Sequence, residues 1–253
     1  MADITFEADT SQLTALQGAL LTLSGKMNRV TAVAMTRSAK AAQAELRRRT
    51  PDYIDRPTPW TLNGTFVRPA TEAKLVTTVG FKDDTIGIST PAAKYLQLQV
   101  SGGRAKHKPF EKLLQRRGIL RSGEFAIPSG AAPFTFNSYG NIPSSKYVQM
   151  LSRLNALREA GSTSNRTGSP RSRAARRKED FFVAEINGHR AIWARVGQDK
   201  RDIRPVFHFV NAPPKFSSRF PVPSIVTKAF HKAFPGELIR AVDEQIRYNR
   251  RLR

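Results

Sequence analysis

The apolar positions near the start of the chain change period within thirty residues. ITFEA alternates apolar and polar side chains, the two-residue repeat of a half-buried strand. Asp9 then offers an N-cap with Gln12 three residues on, a capping-box spacing, so a helix is expected to start near Thr10. Leu13, Leu16, Leu20, Leu23, Met27 and Val30 follow at steps of three and four, one apolar stripe on a helix that Ser24-Gly25 interrupts. The continuation, TAVAMTRSAKAAQAELRRR, is alanine-rich, and its small side chains permit close packing against a neighbour. Arg47, Arg48 and Arg49 complement the negative end of that helix's dipole before Pro51.

Four prolines within residues 51–69 mark an ordered Pro-rich loop, after which TFVRPA and KLVTTVGFK read as the strands of a β-hairpin. PAAKYLQLQVSGG, with a proline start and a Gly-Gly stop, predicts a short helix. KPFEKLLQRRG predicts another, with Pro109 in the first turn and Gly118 as terminator. A loop-rich stretch with short extended pieces leads to SSKYVQMLSRLNALREA, helical through Tyr147, Leu151, Leu154 and Leu157. Residues 161–179, rich first in Gly, Ser and Thr and then in Arg, are expected to form a flexible basic loop. DFFVAEIN and HRAIWARV flank Asn187-Gly188, a strong hairpin signal, and IRPVFHFVNA adds a third strand to give an antiparallel meander. The last segment, from Val222, is helical in period. Ile225, Val226, Ala229, Phe230 and Phe234 lead to Leu238, Ile239, Val242 and Ile246 after Pro235, where a kink or restart is expected. The fold class is therefore α+β: an antiparallel β-sheet with N-terminal helices, a long C-terminal helix and basic loops, in a single domain over residues 1–253.

Composition narrows the function. The chain has 253 residues, 40% of them apolar, enough for a sizeable core. With no cysteine, disulfides, thiolate metal sites and cysteine nucleophiles are excluded. No apolar run reaches the ~18–20 residues of a membrane span. MADITFEADT is acidic where a secretion signal would be basic, so synthesis and residence in the cytoplasm of the producing cell are expected. The formal charge is +22, and nearly all of it sits in four patches: residues 26–49, 101–121 and 166–178 at +6 each, and 240–253 at +3. Such discrete patches are the electrostatic footprint of contact with nucleic acid or an acidic partner. The candidate contact residues are Arg47, Arg48, Arg49, Arg104, Lys106, Lys108, Arg116, Arg117, Arg171, Arg173, Arg176, Arg177, Lys178, Arg250, Arg251 and Arg253.

Signs of catalysis are weak. His107, His189, His208 and His231 are far apart and lack metal-ligand spacing, so neither a metal nor another cofactor is expected. Ser101-Gly102-Gly103-Arg104 is the nearest thing to a phosphate-cradling loop, but helix termination explains the same glycines. Asp83-Asp84 and the pair Asp52 and Asp55 read as solvated turns before they read as Mg²⁺ ligands of a nuclease. Phe181/Val183 and Ile192/Val196 alternate as a core face, which leaves little for a base-stacking platform. The sequence supports binding or assembly over enzyme activity.

Two regions carry a family resemblance. One is VTAVAMTRSAKAAQAELRRRTP, the Ala-rich, Arg-dotted helix leading into a basic middle. The other is IRPVFHFVNAPPKFSSRFPVPSIVTKAFHKAFPGELIRAVDEQIRYNRRLR, a strand and Pro-interrupted linker feeding a long basic helix that closes on arginines. In these the chain resembles the minor tail protein Z, or tail completion, family of bacteriophages. DRPTPWTLNGTFVRPATEAKL, AAKYLQLQVSGG and NSYGNIPSSKYVQMLS are similar to a longer group of prophage proteins encoded among head–tail genes. The resemblance implies a virion structural protein at the head–tail junction, without enzyme activity. It further implies partners among tail tube, tail terminator or connector proteins, a homo-oligomeric ring, contact with genomic DNA and no membrane. The rival readings are an autonomous, sequence-nonspecific nucleic-acid-binding protein and, more remotely, a metal-dependent nuclease.

Overall fold

The computed structural model describes residues 5–7, 26–84, 90–157, 167–178, 180–196 and 202–251; the side chains of 5–7, 175–178 and 249–251 lie outside that description. The class is α+β, with seven helices and antiparallel sheets among the described residues. Where the sequence suggests one domain, the chain groups into two compact units. Unit 1 combines residues 1–102 with 217–253, and unit 2 is the continuous stretch 103–216. The reason is topological: the last helix returns to pack on the first, and everything between Gly103 and Phe216 closes its own core.

Unit 1 is built on α1 (Met27–Arg49) and the three-stranded sheet β1–β3–β2, with β1 Thr5–Glu7, β2 Thr65–Arg68 and β3 Val76–Phe81. The expected leucine stripe before Met27 lies outside the described residues. The expected strand and hairpin are present, with Phe66 opposite Gly80, where a Cβ would stand 3.2 Å from the Phe66 ring. Ala34, Ala39, Ala42 and Leu46 of α1 are fully buried, as the small-residue pattern implied. Thr50 ends the helix by donating its hydroxyl to the Leu46 carbonyl (2.8 Å), and Pro51 enters a 3₁₀ turn. Thr58 then caps α2 (Pro59–Asn63) by accepting from the Thr61 amide at 3.2 Å. The helix α3 (Ala92–Ser101) ends at Gly102, whose φ of 71° with ψ of −173° is a conformation that glycine adopts readily and other residues rarely do, so the Gly-Gly pair does serve as a terminator.

The final helix, α7 (Val222–Arg251), runs antiparallel to α1. Val222 and Val226 cluster with Leu46, Leu238 and Ala241 meet Val30 and Ala34, and Lys26 lies over the Tyr248 ring. It continues without a restart through Pro235, which stands on the exposed side. Its apolar face differs from the expected one in one member. Ile239 is 59% exposed, because the helical advance of about 100° turns it away from α1 while Leu238, Ala241 and Gln245 face inward.

Unit 2 begins and ends on a two-stranded ribbon, β4 (Gly103–Arg104) against β9 (Lys215–Phe216). Its main sheet has the order β5–β8–β7–β6: β5 Phe125–Pro128, β6 Asp180–Ile186, β7 His189–Val196 and β8 Asp202–Val210. The meander β6–β7–β8 matches the sequence pattern, and Asn187 and Gly188 take φ of 52° and 74°, the left-handed pair of a tight hairpin turn. Leu114, Met150, Phe181, Ile192 and Phe207 form the core, with α4 (Pro109–Arg116) and α5 (Ser144–Arg153) packed on it. The helix α5 is shorter than expected. Asn155 adopts φ 52° and the Ala156 amide returns to the Leu151 carbonyl at 2.7 Å, so Leu154 and Leu157 reach the core from beyond the turn.

The expected flexible loop 161–179 is corrected over its second half, where Pro170–Lys178 is helix α6. Ser169 starts it, its hydroxyl accepting from the Ser172 amide (3.2 Å) and its carbonyl from that of Arg173 (2.9 Å), with Pro170 at the first position. Residues 161–166 and 179 lie outside the described residues.

Candidate polyanion and partner surfaces

The acidic side chains are largely spoken for by near neighbours. In unit 2, Glu111 is 3% exposed and accepts the Lys108 amide (2.6 Å) and the Ala126 amide (2.9 Å), which joins the start of α4 to β5. Glu124, 5% exposed, accepts the Arg121 amide (2.7 Å) and the Arg190 guanidinium (2.5 Å). Arg190 also donates to the Ile119 carbonyl and lies over the Phe209 ring. In unit 1, Asp52 is bridged to Arg49 at 3.1 Å and Asp55 to Arg56 at 2.8 Å, so this one of the two carboxylate pairs considered as metal ligands is tied to arginines instead. Among the described residues no three His, Asp or Glu side chains converge. His107 packs edge-on against Phe125, and His189 and His231 are exposed.

The candidate cations fall into separate groups. Arg47 donates to Thr65 (2.8 Å) and pins α1 to β2, a structural role, while Arg48 pairs with Glu45 one turn back (2.5 Å). Arg250 and Arg251 lie in the last turn of α7, beside the start of α1. They are therefore separated from Arg47, Arg48 and Arg49 by the length of α1, roughly 30 Å at 1.5 Å per residue. Arg253 lies outside the described residues. In unit 2, Arg104 ends β4 and Lys106 and Lys108 follow on the exposed segment after it, while Arg116 and Arg117 end α4. Arg171 and Arg173 are exposed on α6, and Arg176, Arg177 and Lys178 complete that helix.

Three cations absent from the sequence-derived set gain importance. Lys215 is the direct cross-strand partner of Arg104, and both are exposed. Like charges placed opposite each other repel, a cost that a bound anion removes. Lys228 and Lys232, one turn apart on α7, line a groove in unit 1 with Arg48, Arg49 and Glu45. The floor of this groove, of about 660 Å³, includes Ala41, Ile225, Ala229 and Ala233. The hydrogen bonds from Arg48 hold the Glu45 carboxyl below its ordinary range, and the fields of Arg48, Arg49 and Lys232 add to this. The i, i+4 spacing of Lys228 and Lys232 was visible in the sequence, but the opposing wall from α1 was not.

No protein-family model matches the chain, and comparisons with curated proteins and with solved structures likewise gave no match.

Proposed function

We propose that this chain is a bacteriophage virion structural protein, a tail-completion or head–tail junction component that assembles as a ring with tail tube, terminator or connector proteins and contacts the genome end. The observation that carries the polyanion half of this reading is the exposed cross-strand pair Arg104 and Lys215, which has no acidic partner among the described residues, continued by Lys106 and Lys108 along one exposed segment. Among the described residues Glu111, Glu124, Glu45 and Asp52 are held by backbone amides or nearby arginines, and no acid there is paired with this positive surface. Contacts of this kind read phosphates and are indifferent to base sequence. The assembly half rests on the resemblance to tail completion proteins.

The test has two arms. Mass spectrometry of purified virions should find the protein, and phage lacking its gene should make incomplete tails; complete infectious particles without it refute the reading. In the second arm, neutralising Arg171, Arg173, Arg176, Arg177 and Lys178 should flatten the log–log salt dependence of duplex binding by about 4 to 5, near 0.9 per phosphate. An unchanged slope refutes DNA contact by α6. DNA binding without virion incorporation would favour the autonomous nucleic-acid-binding protein instead.

A further inference from the structure

The groove between α1 and α7 has a chemistry unlike that of the exposed cationic strand. Its α1 wall presents Ala41, Glu45, Arg48 and Arg49, which share one helical face, and its α7 wall runs from Pro221, just before the helix, to Ala233. The α7 wall is about 18 Å long at 1.5 Å per residue, enough for about three turns of a docked helix. The floor is apolar, and its alanines leave it recessed between longer side chains. Four cations and one carboxylate line it. Arg48 and Arg49 have acidic partners in Glu45 and Asp52, whereas Lys228 and Lys232 form no salt bridge among the described residues.

We propose that this groove docks an acidic amphipathic helix of a partner protein. Resting on the assembly reading above, the inference names the chemistry of one partner contact. The apolar face of such a helix covers Ala41, Ile225, Ala229 and Ala233, while its carboxylates reach Lys228 and Lys232 on the rim, the helix-in-groove mode of recognition. A phosphodiester backbone fits less well. It has no apolar face for the floor, and base stacking would need an aromatic face aimed into the groove. Tyr53 is the aromatic residue lining it, and its ring is stacked on Phe220 with centroids 5.1 Å apart.

Fluorescence anisotropy with the full-length protein tests this, using three probes. These are a labelled peptide of about fourteen residues with Leu and Glu at helical spacing, the same peptide with each Glu replaced by Gln, and a short DNA duplex. The acidic peptide should bind, and the Gln peptide about tenfold more weakly. The double variant Lys228→Glu, Lys232→Glu should lose about tenfold or more for the acidic peptide and less than about twofold for the duplex. Ala233→Trp, which fills the floor and keeps both lysines, should also lose the peptide, with circular dichroism confirming that both variants remain folded. Equal binding of the two peptides, or unchanged peptide binding in the variants, overturns the proposal. An equal loss for the duplex overturns it as well and assigns the groove to phosphate. The underlying reading fails separately: a protein absent from virions whose groove still selects the acidic peptide refutes the assembly reading alone.

Discussion

Glu111 and Glu124 carry negative charge into the interior of a chain whose net charge is strongly positive. Each sits where two elements must be joined: Glu111 between α4 and β5, Glu124 between the loop after α4 and Arg190 on β7. Removing one member of a buried ion pair leaves the other desolvated without its counter-charge. Glu124→Ala should therefore destabilise unit 2 by about 3 kcal/mol, the low end of the usual range because Arg190 keeps its Ile119 carbonyl and the Phe209 face. Urea denaturation followed by Trp193 fluorescence measures this, and a loss under about 1 kcal/mol would mean that the pair is as weak as a surface bridge. At this scale the sequence was partly legible. Glu111 stands three residues after the Lys108 position that precedes Pro109, a capping spacing, but its second bond, from Ala126 fifteen residues on, depends on where β5 is placed in space. Glu124 and Arg190 are 66 positions apart, and nothing local couples them.

Among the elements, those stopped and started by local chemistry were the readable ones. Asn187-Gly188 placed the β6–β7 hairpin, Gly102 ended α3, and alternation placed β1. The helix α6 was missed because arginine and serine dominate its composition, yet Ser169-Pro170 is a legible start once the cap is weighed above the low complexity. Pro235 does not interrupt α7. An exposed proline removes one hydrogen bond, whereas packing of Val226, Phe230, Leu238 and Ala241 on both sides of it keeps the helix whole. This division along α7 gives a prediction. Truncation before Leu238 removes a buried side chain that stabilises by about 1.5–3 kcal/mol, and should lower the thermal midpoint and incorporation into tails. Deleting residues 250–253 should leave the midpoint unchanged within error and weaken DNA or partner binding alone. Equal losses of midpoint in the two variants would make the terminal arginines structural.

For the whole molecule, the two-unit organisation lay beyond the sequence pattern, because no linker composition announces it. The units meet the chain at Gly103 and Phe216, which are neighbours across the β4–β9 ribbon, so unit 2 starts and finishes at adjacent points. A stretch with adjacent ends, its own core and a size within the usual domain range is expected to fold by itself. Residues 103–216 expressed alone should give a cooperative thermal transition and a dispersed amide spectrum; a broad, non-cooperative melt would show that the unit depends on the rest of the chain. The antiparallel pairing of α1 with α7 has a consequence in time. About 170 residues separate these helices, among them all of unit 2, and a ribosome adding about 5–20 residues each second needs roughly 10–35 seconds to cross that distance. Throughout that interval the alanine face of α1 has no α7 to cover it, while unit 2 is being made. Unit 2 is thus complete before unit 1, and α1 must wait on a nascent chain, open to chaperones, until its distant partner emerges.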